Sequence, residues 1–319
     1  GNEPDSELNI VSRASRLLTG NSAMAEALET RLAAFHQAPA ALLFNSGYDA
    51  NVGVFSAFQS ANVRILYDAL SHASIVDGIR LSKATSYRFP HNDLAALEKR
   101  LKLPFDGPTL VVVESVYSMD GDLAPLHELH ALCSNYDAQL FVDEAHATGL
   151  YGAKGEGRVV ELGLQEAVDI RRHTFGKALG YHGAVVVGSE LLRSWMVNYA
   201  RSFIYTTALP PAVAAATRVS LKLLQSEHWR RENLNNNIQQ FRTGAQNLGL
   251  QLMDSQTPIQ PIVLGAEDKT MALAAGLERD GILVGAIRPP TVAAGSSRLR
   301  ITLTAEHTAS DIERLLGAL

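Results

Sequence analysis

Apolar positions in the first two thirds of the chain follow two alternating patterns. Residues 22–36 carry apolar side chains at helical spacing and begin with Ser22, a residue type that caps helices. Short, uninterrupted apolar runs predict strands, and stretches with helical periodicity lie between them. The predicted strands are 41–44, 64–67, 109–113, 139–142 and 184–188, and the predicted helices between them are 48–58, 74–82, 93–102 and 125–136. This alternation is typical of a parallel sheet covered by helices on both faces.

The pattern changes near residue 225. Before this point, Leu209-Pro210-Pro211 precedes a long helical stretch. After it, a polar amphipathic helix leads into shorter strands and helices that continue to residue 319. We therefore predict a large α/β domain over residues 1–225 and a small C-terminal α+β domain over residues 226–319.

Composition narrows the function classes. The chain has 319 residues, of which 46% are hydrophobic and 19% charged, enough to bury a sizeable core. The formal charge of −5 argues against binding to nucleic acid or to an anionic membrane, and no apolar run reaches the ~18 residues of a membrane span. A single cysteine, Cys133, excludes an intrachain disulfide. With an acidic, polar start that does not resemble a signal peptide, we predict a cytoplasmic protein.

The string Val142-Asp143-Glu144-Ala145-His146 matches the acidic box of nucleic-acid helicases. In those enzymes the box accompanies a phosphate loop of the form G-x-x-x-x-G-K-[ST]. The chain's one Gly-Lys pair, Gly176-Lys177, is followed by Ala178, and position 171 is arginine rather than glycine. The helicase interpretation therefore fails.

Metal-dependent and serine hydrolases are also disfavoured. His127 and His130 are three residues apart, whereas the zinc motif H-E-x-x-H needs a spacing of four. No serine stands in G-x-S-x-G, and Cys133 lies on an apolar helix face that suits a packed core thiol. We predict no metal site.

The string from Thr174 to Gly180 contains a lysine, Lys177, between small residues and just before a predicted strand. One interpretation is an ordinary surface lysine. The other is a desolvated lysine with a lowered pKa, which can act as a nucleophile and form a Schiff base. The string alone does not choose between them.

Three features together predict a site for pyridoxal 5′-phosphate (PLP). This cofactor needs a Schiff-base lysine, a carboxylate at its pyridine nitrogen and donors for its phosphate. Lys177 can supply the first and Asp143, at the end of a predicted strand, the second. The Asn45–Tyr48 turn joins a strand to the start of a helix, whose free N–H groups suit a phosphate.

With these residues in place, the chain resembles the α-oxoamine synthases, a family of fold-type I PLP-dependent transferases. The stretches that carry the resemblance are SRLLTGN (15–21), LLFNSGYDAN (42–51), LSHASIVDG (70–78), FPHND (89–93), ESVYSMDGDLAPL (114–126), VDEAHATGLYG (142–152), HTFGKALG (173–180), SFIYTTALPP (202–211) and AIRPPTVAAGSSRLRITLTAEHT (286–308). The resemblance implies an α/β fold with a large, mostly parallel sheet domain and a small C-terminal α+β domain. Two features depart from the family pattern. The segment with which the family begins is not part of the sequence, and residues 11–15 differ from the family's glycine-rich stretch.

The resemblance implies roles around the cofactor ring. Lys177 would bind PLP covalently and act on the proton at the substrate α-carbon. Asp143 would pair with the ring nitrogen, and His72 would stack on the ring. His146 and Ser118 would hydrogen-bond to the phenolic oxygen. The catalytic set implied in this way is Lys177, His72, Asp143 and His146.

It also implies contacts to phosphate and substrate. The phosphate would be held by the backbone N–H groups of Gly47 and Tyr48 and by Thr174. Thr207 would reach it from the other subunit of a homodimer with shared active sites. Arg300 would bind the carboxylate of the amino-acid substrate. Arg288 would line the channel for the acyl chain.

The implied reaction is a decarboxylative condensation in biotin biosynthesis. The C-terminal stretch and the HTFGK string resemble most the family branch that joins L-alanine to a pimeloyl thioester, carried by coenzyme A or by an acyl carrier protein. The alternatives are the branch that joins glycine to acetyl-CoA, another α-oxoamine synthase, and a non-catalytic relative that serves as a scaffold.

Overall fold

The computed structural model describes residues 11–59 and 62–319. The acidic start of the chain, predicted above not to be a signal peptide, falls within residues 1–10 and lies outside the described residues. The chain divides into two compact units. The first runs to Ser115 and continues over Ala124–Ser226, and the second combines Val116–Leu123 with Glu227–Leu319. The sequence placed the eight-residue stretch 116–123 in the large domain, and the structure groups it with the second unit.

The first unit is built on a seven-stranded sheet in the order β1-β7-β6-β5-β4-β2-β3. The five neighbours from β6 to β3 run parallel, and β7 is antiparallel to both β6 and β1. The predicted, mostly parallel sheet is confirmed. The strands are β1 (Ala40–Phe44), β2 (Arg64–Asp68), β3 (Thr85–Phe89), β4 (Thr109–Glu114), β5 (Ala138–Asp143), β6 (Ile170–Thr174) and β7 (Ala184–Gly188).

Both faces of this sheet are buried. Successive side chains of a strand point to opposite faces, and β1 sends Leu42 and Phe44 into one core and Leu43 into another. The helices of the unit are α1 (Ala23–Phe35), α2 (Gly47–Ser56), α3 (Ala73–Ser82), α4 (Leu94–Leu101), α5 (Leu126–Asn135), α6 (Arg158–Glu161), α7 (Glu190–Tyr199), α8 (Arg201–Ile204) and α9 (Pro211–Ser226). The predicted cap is present, because the Ser22 side chain accepts a hydrogen bond from the Ala25 N–H.

Two strands of this sheet have no counterpart in the apolar runs of the sequence. β3 is an edge strand with four exposed residues, so its sequence is polar. β6 has the opposite environment, since all five of its residues are buried although three are Arg or His. Charged residues in a buried strand need partners that the sequence does not reveal.

The second unit has a three-stranded antiparallel sheet in the order β8-β10-β9. Its elements are α10 (Trp229–Asn247), β8 (Ile259–Gly265), α11 (Glu267–Arg279), β9 (Gly285–Ile287), β10 (Ser297–Thr302) and α12 (Ala309–Ala318). Thr308 and Asp311 form a reciprocal capping box at the start of α12. Within residues 11–59 and 62–319, no helix is both long and apolar enough to cross a membrane.

Candidate active site

Three ionisable side chains lie side by side near the carboxyl ends of neighbouring strands. The register pairs Glu114 of β4 with Asp143 of β5, and Asp143 with Arg172 of β6. All three residues are buried. The carboxyl edge of an open parallel sheet is where α/β proteins bind ligands, so this row marks the candidate site.

Asp143 is held by three hydrogen bonds. Its Oδ1 accepts from Arg172 Nη1 and from the Ala145 N–H, each at 2.9 Å, and its Oδ2 accepts from Asn51 Nδ2 at 2.9 Å. Burial alone would raise the pKa of Asp143, but the Arg172 charge, the Asn51 bond and nearby Lys177 outweigh it and lower the pKa. Asp143 is therefore an ionised carboxylate in a buried position.

Glu114 has the opposite charge state. Burial and the neighbouring Asp143 charge raise the pKa of Glu114 to about 8, although the His72 N–H donates to its Oε1 at 2.6 Å. Two adjacent buried carboxylates cannot both ionise without a large cost, and here Glu114 holds the proton near neutral pH.

His72 caps α3 and presents a neutral ring. Its Nδ1 accepts a hydrogen bond from the Ser74 N–H at 3.2 Å. Burial lowers the pKa of His72, and the opposing effect of Asp143 does not offset it because Lys177 and Arg172 are also close. A neutral imidazole beside Asp143 and Lys177 suits stacking on an aromatic ring.

The start of α2 forms a cradle of backbone groups. Ser46 caps the helix, since its Oγ accepts from the Asp49 N–H at 3.0 Å. The first N–H groups of a helix have no partner within it and attract phosphate. A Cβ on Gly47 would lie 1.6 Å from Arg172 Nη2, so a larger residue there would displace the Arg172 guanidinium. The Tyr48 side chain takes no part in this cradle, since its hydroxyl donates to Asp77 Oδ2 at 2.6 Å.

The remaining predicted residues of the first unit lie around its loops. Thr174 ends β6, is buried and donates to the Gly183 carbonyl at 3.3 Å. His146 is half-buried in the turn after β5. Thr207 is exposed, and its carbonyl accepts from Asn45 Nδ2 at 2.8 Å, next to the start of α2.

Lys177 lies in the loop after β6 and is exposed, unlike the desolvated lysine that the sequence left open. The loop leaves the carboxyl edge of the sheet toward solvent. The lysine charge nevertheless acts to lower the pKa of His72, of Asp143 and of Glu114, although burial and Asp143 raise the pKa of Glu114 overall, so the Lys177 ammonium is near all three.

Ser118, Arg288 and Arg300 belong to the second unit. Arg300 Nε donates to the Ser118 carbonyl at 2.7 Å and its Nη1 to Thr302 Oγ1 at 2.9 Å, which fixes the guanidinium. Arg288 forms an ion pair with Glu267 at 3.4 Å between two largely exposed side chains. Such a pair contributes little to stability.

Sequence reasoning missed three residues of the site: Glu114, Arg172 and Asn51. Glu114 could have been found, because it ends an apolar strand as Asp143 does. Arg172 gave no signal, since two arginines and a histidine in a row indicate a surface strand. Asn51 lies inside a helix, and its Oδ1 is buried without a hydrogen-bond partner.

The donor set fits PLP. It contains an ionised buried carboxylate, a neutral histidine, a lysine and a glycine at a helix start. Asp143 Oδ2 accepts one hydrogen bond, from Asn51, and a carboxylate oxygen can accept two. In the part of the chain that the structure describes, no group of three or more His, Cys, Asp or Glu residues could hold a metal ion.

Comparison with known proteins agrees with this chemistry. The sequence profile of the family "Aminotransferase class I and II" matches residues 3–319. The chain is 50% identical over 309 residues to an 8-amino-7-oxononanoate synthase of Cellvibrio japonicus, covering 97% of the chain and 78% of the relative. It is 50% identical over 314 residues to the enzyme of that name from Marinobacter nauticus, covering 98% and 79%.

Two solved structures of similar fold are a serine palmitoyltransferase and an 8-amino-7-oxononanoate synthase. A serine palmitoyltransferase from S. paucimobilis, solved with bound PLP and myriocin, superposes with a TM-score of 0.92 at 34% identity, over 96% of the chain and 78% of the other. An 8-amino-7-oxononanoate synthase from Francisella tularensis gives a TM-score of 0.83 at 30% identity, over 96% and 87%.

Proposed function

The chain belongs to the class I and II aminotransferase family and, within it, to the 8-amino-7-oxononanoate synthases, and we propose that it condenses L-alanine with a pimeloyl thioester. The products are 8-amino-7-oxononanoate, carbon dioxide and the free thiol, in biotin biosynthesis. The predicted cofactor, PLP, and the predicted fold-type I architecture are confirmed. The observation that carries the reaction is the 50% identity to such synthases over 97% of the chain.

Most of the residues that would hold the cofactor ring lie at or next to the carboxyl edge of the sheet in the first unit, and Ser118 belongs to the second unit. Asp143 would accept the ring N–H, and His72 would cover one face of the ring. His146 and Ser118 would donate to the phenolic oxygen, and Lys177 would attach the cofactor covalently. PLP bound there supplies an electron sink for the negative charge that develops at the amino-acid α-carbon.

The phosphate would lie at the start of α2. The N–H groups of Gly47 and Tyr48 and the Thr174 hydroxyl would donate to it, because the positive end of a helix dipole favours an anion. Thr207 of a second copy would add a further donor.

The proton and the substrate groups need protein side chains of their own. Lys177 Nζ would take the α-proton of L-alanine, at a position next to Asp143 and His72. Asp143 would stabilise the charge that appears only after that step, which lowers the barrier rather than strengthening ground-state binding. Arg300 would bind the alanine carboxylate through its planar guanidinium, and Arg288 would orient the acyl chain.

A homodimer is part of the proposal. The segment around Thr207 exposes apolar side chains, with Leu18 78% and Tyr205 72% exposed. Together with Leu17 they line one cavity beside Thr207. Clustered exposed apolar groups mark protein–protein contacts, and a second copy covering them would bring its own Thr207 into the same region.

A cytoplasmic location also belongs to the proposal and agrees with the single cysteine, Cys133, being a free, buried thiol.

The test is a panel of amino acids against acyl thioesters on the PLP-loaded protein, with each product identified by mass. We expect the highest kcat/KM with alanine and pimeloyl-CoA or its acyl-carrier form. Glycine should be selected against by about 10- to 200-fold, because one methyl group contributes only about 1–3 kcal/mol.

Two results would overturn the proposal in different ways. A preference for glycine and acetyl-CoA would assign the chain to the glycine-condensing reaction and leave the cofactor unchanged. PLP binding without any condensation would identify a non-catalytic relative.

A further inference from the structure

Arg172 is a buried cation that neither the motifs nor the family resemblance assigns to the site. It follows Arg171 on β6, and the two side chains point to opposite faces of the sheet. Arg171 donates to backbone carbonyls, including that of Gln37. Arg172 points toward Asp143, with only 7% of its side chain exposed.

The Arg172 guanidinium spans the distance between two cofactor contacts. Its Nη1 bonds Asp143 at 2.9 Å, and its Nη2 occupies the space that a Gly47 side chain would need. Its Nε is buried without a hydrogen-bond partner. The Arg172 side chain thus contacts both Asp143, which would pair with the ring nitrogen, and the start of α2 at Gly47, which would bind the phosphate.

The charges around Asp143 show why a cation is needed there. Glu114 faces it from β4, Lys177 from the loop after β6, and His72 from the start of α3. His72 is neutral and Lys177 is on an exposed loop, so Arg172 is the buried, permanently charged group in contact with Asp143. Without it, the two adjacent carboxylates would share a proton and Asp143 would lose part of its charge.

We propose that Arg172 is a positioning residue for the cofactor: it fixes Asp143 through Oδ1 and leaves Oδ2 to accept the ring N–H. The proposal rests on the use of PLP and not on the identity of the substrates. It can therefore be tested by PLP binding alone, which does not depend on the condensation reaction.

The experiment measures the dissociation constant of PLP by fluorescence titration of the cofactor-free protein at several pH values. Arg172→Met removes the charge at similar volume and should weaken PLP binding about tenfold or more, since a buried carboxylate loses its cation. The loss should grow as the pH is lowered from about 8 to 6, because burial and the neighbouring Glu114 raise the pKa of Asp143, and the remaining opposing groups, Asn51, Ala145 and Lys177, lack the largest contribution, that of Arg172. Arg172→Lys keeps the charge and should restore most of the affinity and the pH profile of the unaltered protein.

The matched control is Arg171→Met, which removes the neighbouring buried arginine from the other face of the sheet. It should lower thermal stability and leave the PLP dissociation constant and its pH profile unchanged. If Arg172→Met does not fold, Arg172→Gln, which keeps a donor without the charge, gives the same comparison.

A double-mutant cycle shows whether Arg172 acts through Asp143. In an Asp143→Asn protein, adding Arg172→Met should change PLP affinity little further. The proposal is overturned if the neutral Arg172 variant binds PLP with unaltered affinity and pH profile, if Arg171→Met weakens binding equally, or if the effects of the two substitutions simply add.

Discussion

Glu114 and Asp143 carry the same chemical group on adjacent strands, yet they have different charge states. Asp143 accepts from the Arg172 guanidinium, which is the largest of the effects that lower its pKa, and from Asn51 and the Ala145 N–H, whereas Glu114 accepts a backbone N–H from His72. A residue's neighbours, rather than its type, thus decide which carboxylate can serve a protonated ring nitrogen.

The two carboxylates give a matched pair of substitutions. Asp143→Asn removes the charge and should lower kcat at least about tenfold, equal to ~1.4 kcal/mol of barrier. Glu114→Gln replaces a group that is already neutral near pH 7, because its pKa is raised to about 8, and should retain most of the activity. Steady-state kinetics with alanine check both. Equal losses in the two variants would contradict the assignment of the ring-nitrogen partner.

Lys177 is expected to be the covalent attachment point. Lys177→Ala should abolish turnover, while Lys154→Ala, which alters another exposed lysine, should not. Borohydride reduction of the PLP-loaded protein, followed by peptide mapping, should place the label on Lys177. A label on Lys154 or Lys83 would show that the lysine has been misassigned.

At the scale of elements, β6 shows how far the sequence alone reaches. Apolar runs predicted β2, β4, β5 and β7 to within a residue or two, because most of their buried positions carry hydrophobic side chains. β6 is buried by other means: Arg171 bonds carbonyls, Arg172 bonds Asp143, and His173 stacks on His36 at 3.6 Å. Those partners come from distant parts of the chain, so no local pattern indicates them.

Site residues, like strands, could be predicted where a local sequence pattern marks them and not where their contacts come from distant parts of the chain. Asp143, Gly47 and Lys177 were found because each stands at a strand end, helix start or loop that local sequence marks. Arg172 and Asn51 were not, because their roles come from contacts across the sheet. The bulk of the site residues rest on the family resemblance and stay predictions until they are substituted.

The stack of His36 on His173 joins α1 to β6 and predicts an acid sensitivity. Burial lowers the pKa of His36 to about 3 and that of His173 well below its ordinary value. In the unfolded chain these two histidines take up protons below about pH 6.5, whereas in the folded chain they stay neutral. The free energy of unfolding therefore falls as the pH is lowered from about 6.5 toward 3. Each such histidine contributes a slope of about 1.4 kcal/mol per pH unit.

Urea unfolding between about pH 4 and 8 checks this slope. His36→Gln keeps a donor for the Glu156 carbonyl, which His36 Nδ1 contacts at 2.7 Å, and should flatten the loss of stability at acid pH. His127→Gln alters an exposed histidine and should leave the slope unchanged. The stack has no role in acid unfolding if both variants keep the original slope.

At the scale of the whole molecule, the second unit contributes a candidate for substrate carboxylate binding. Arg300 is fixed by Ser118 and Thr302, while Arg298, two residues earlier on β10, is paired with Asp120. Arg300→Lys should raise the KM for alanine far more than it changes PLP affinity, because an ammonium cannot bind a carboxylate bidentately. Arg298→Lys is the comparison, and a larger rise in KM there would move the role to Arg298.

Assembly is the last property that the chain's surface predicts. A dimer should have twice the 34.4 kDa mass of the chain by light scattering. Leu18→Asp places a charge among the exposed apolar side chains beside Thr207 and should yield monomers with weakened PLP binding, since each phosphate then lacks its donor from the second copy. Leu191, 79% exposed on α7 against 78% for Leu18, gives a control of equal exposure. If Leu18→Asp stays dimeric, or Leu191→Asp dissociates to the same extent, the contact between subunits lies on another surface and Thr207 has no partner phosphate to bind.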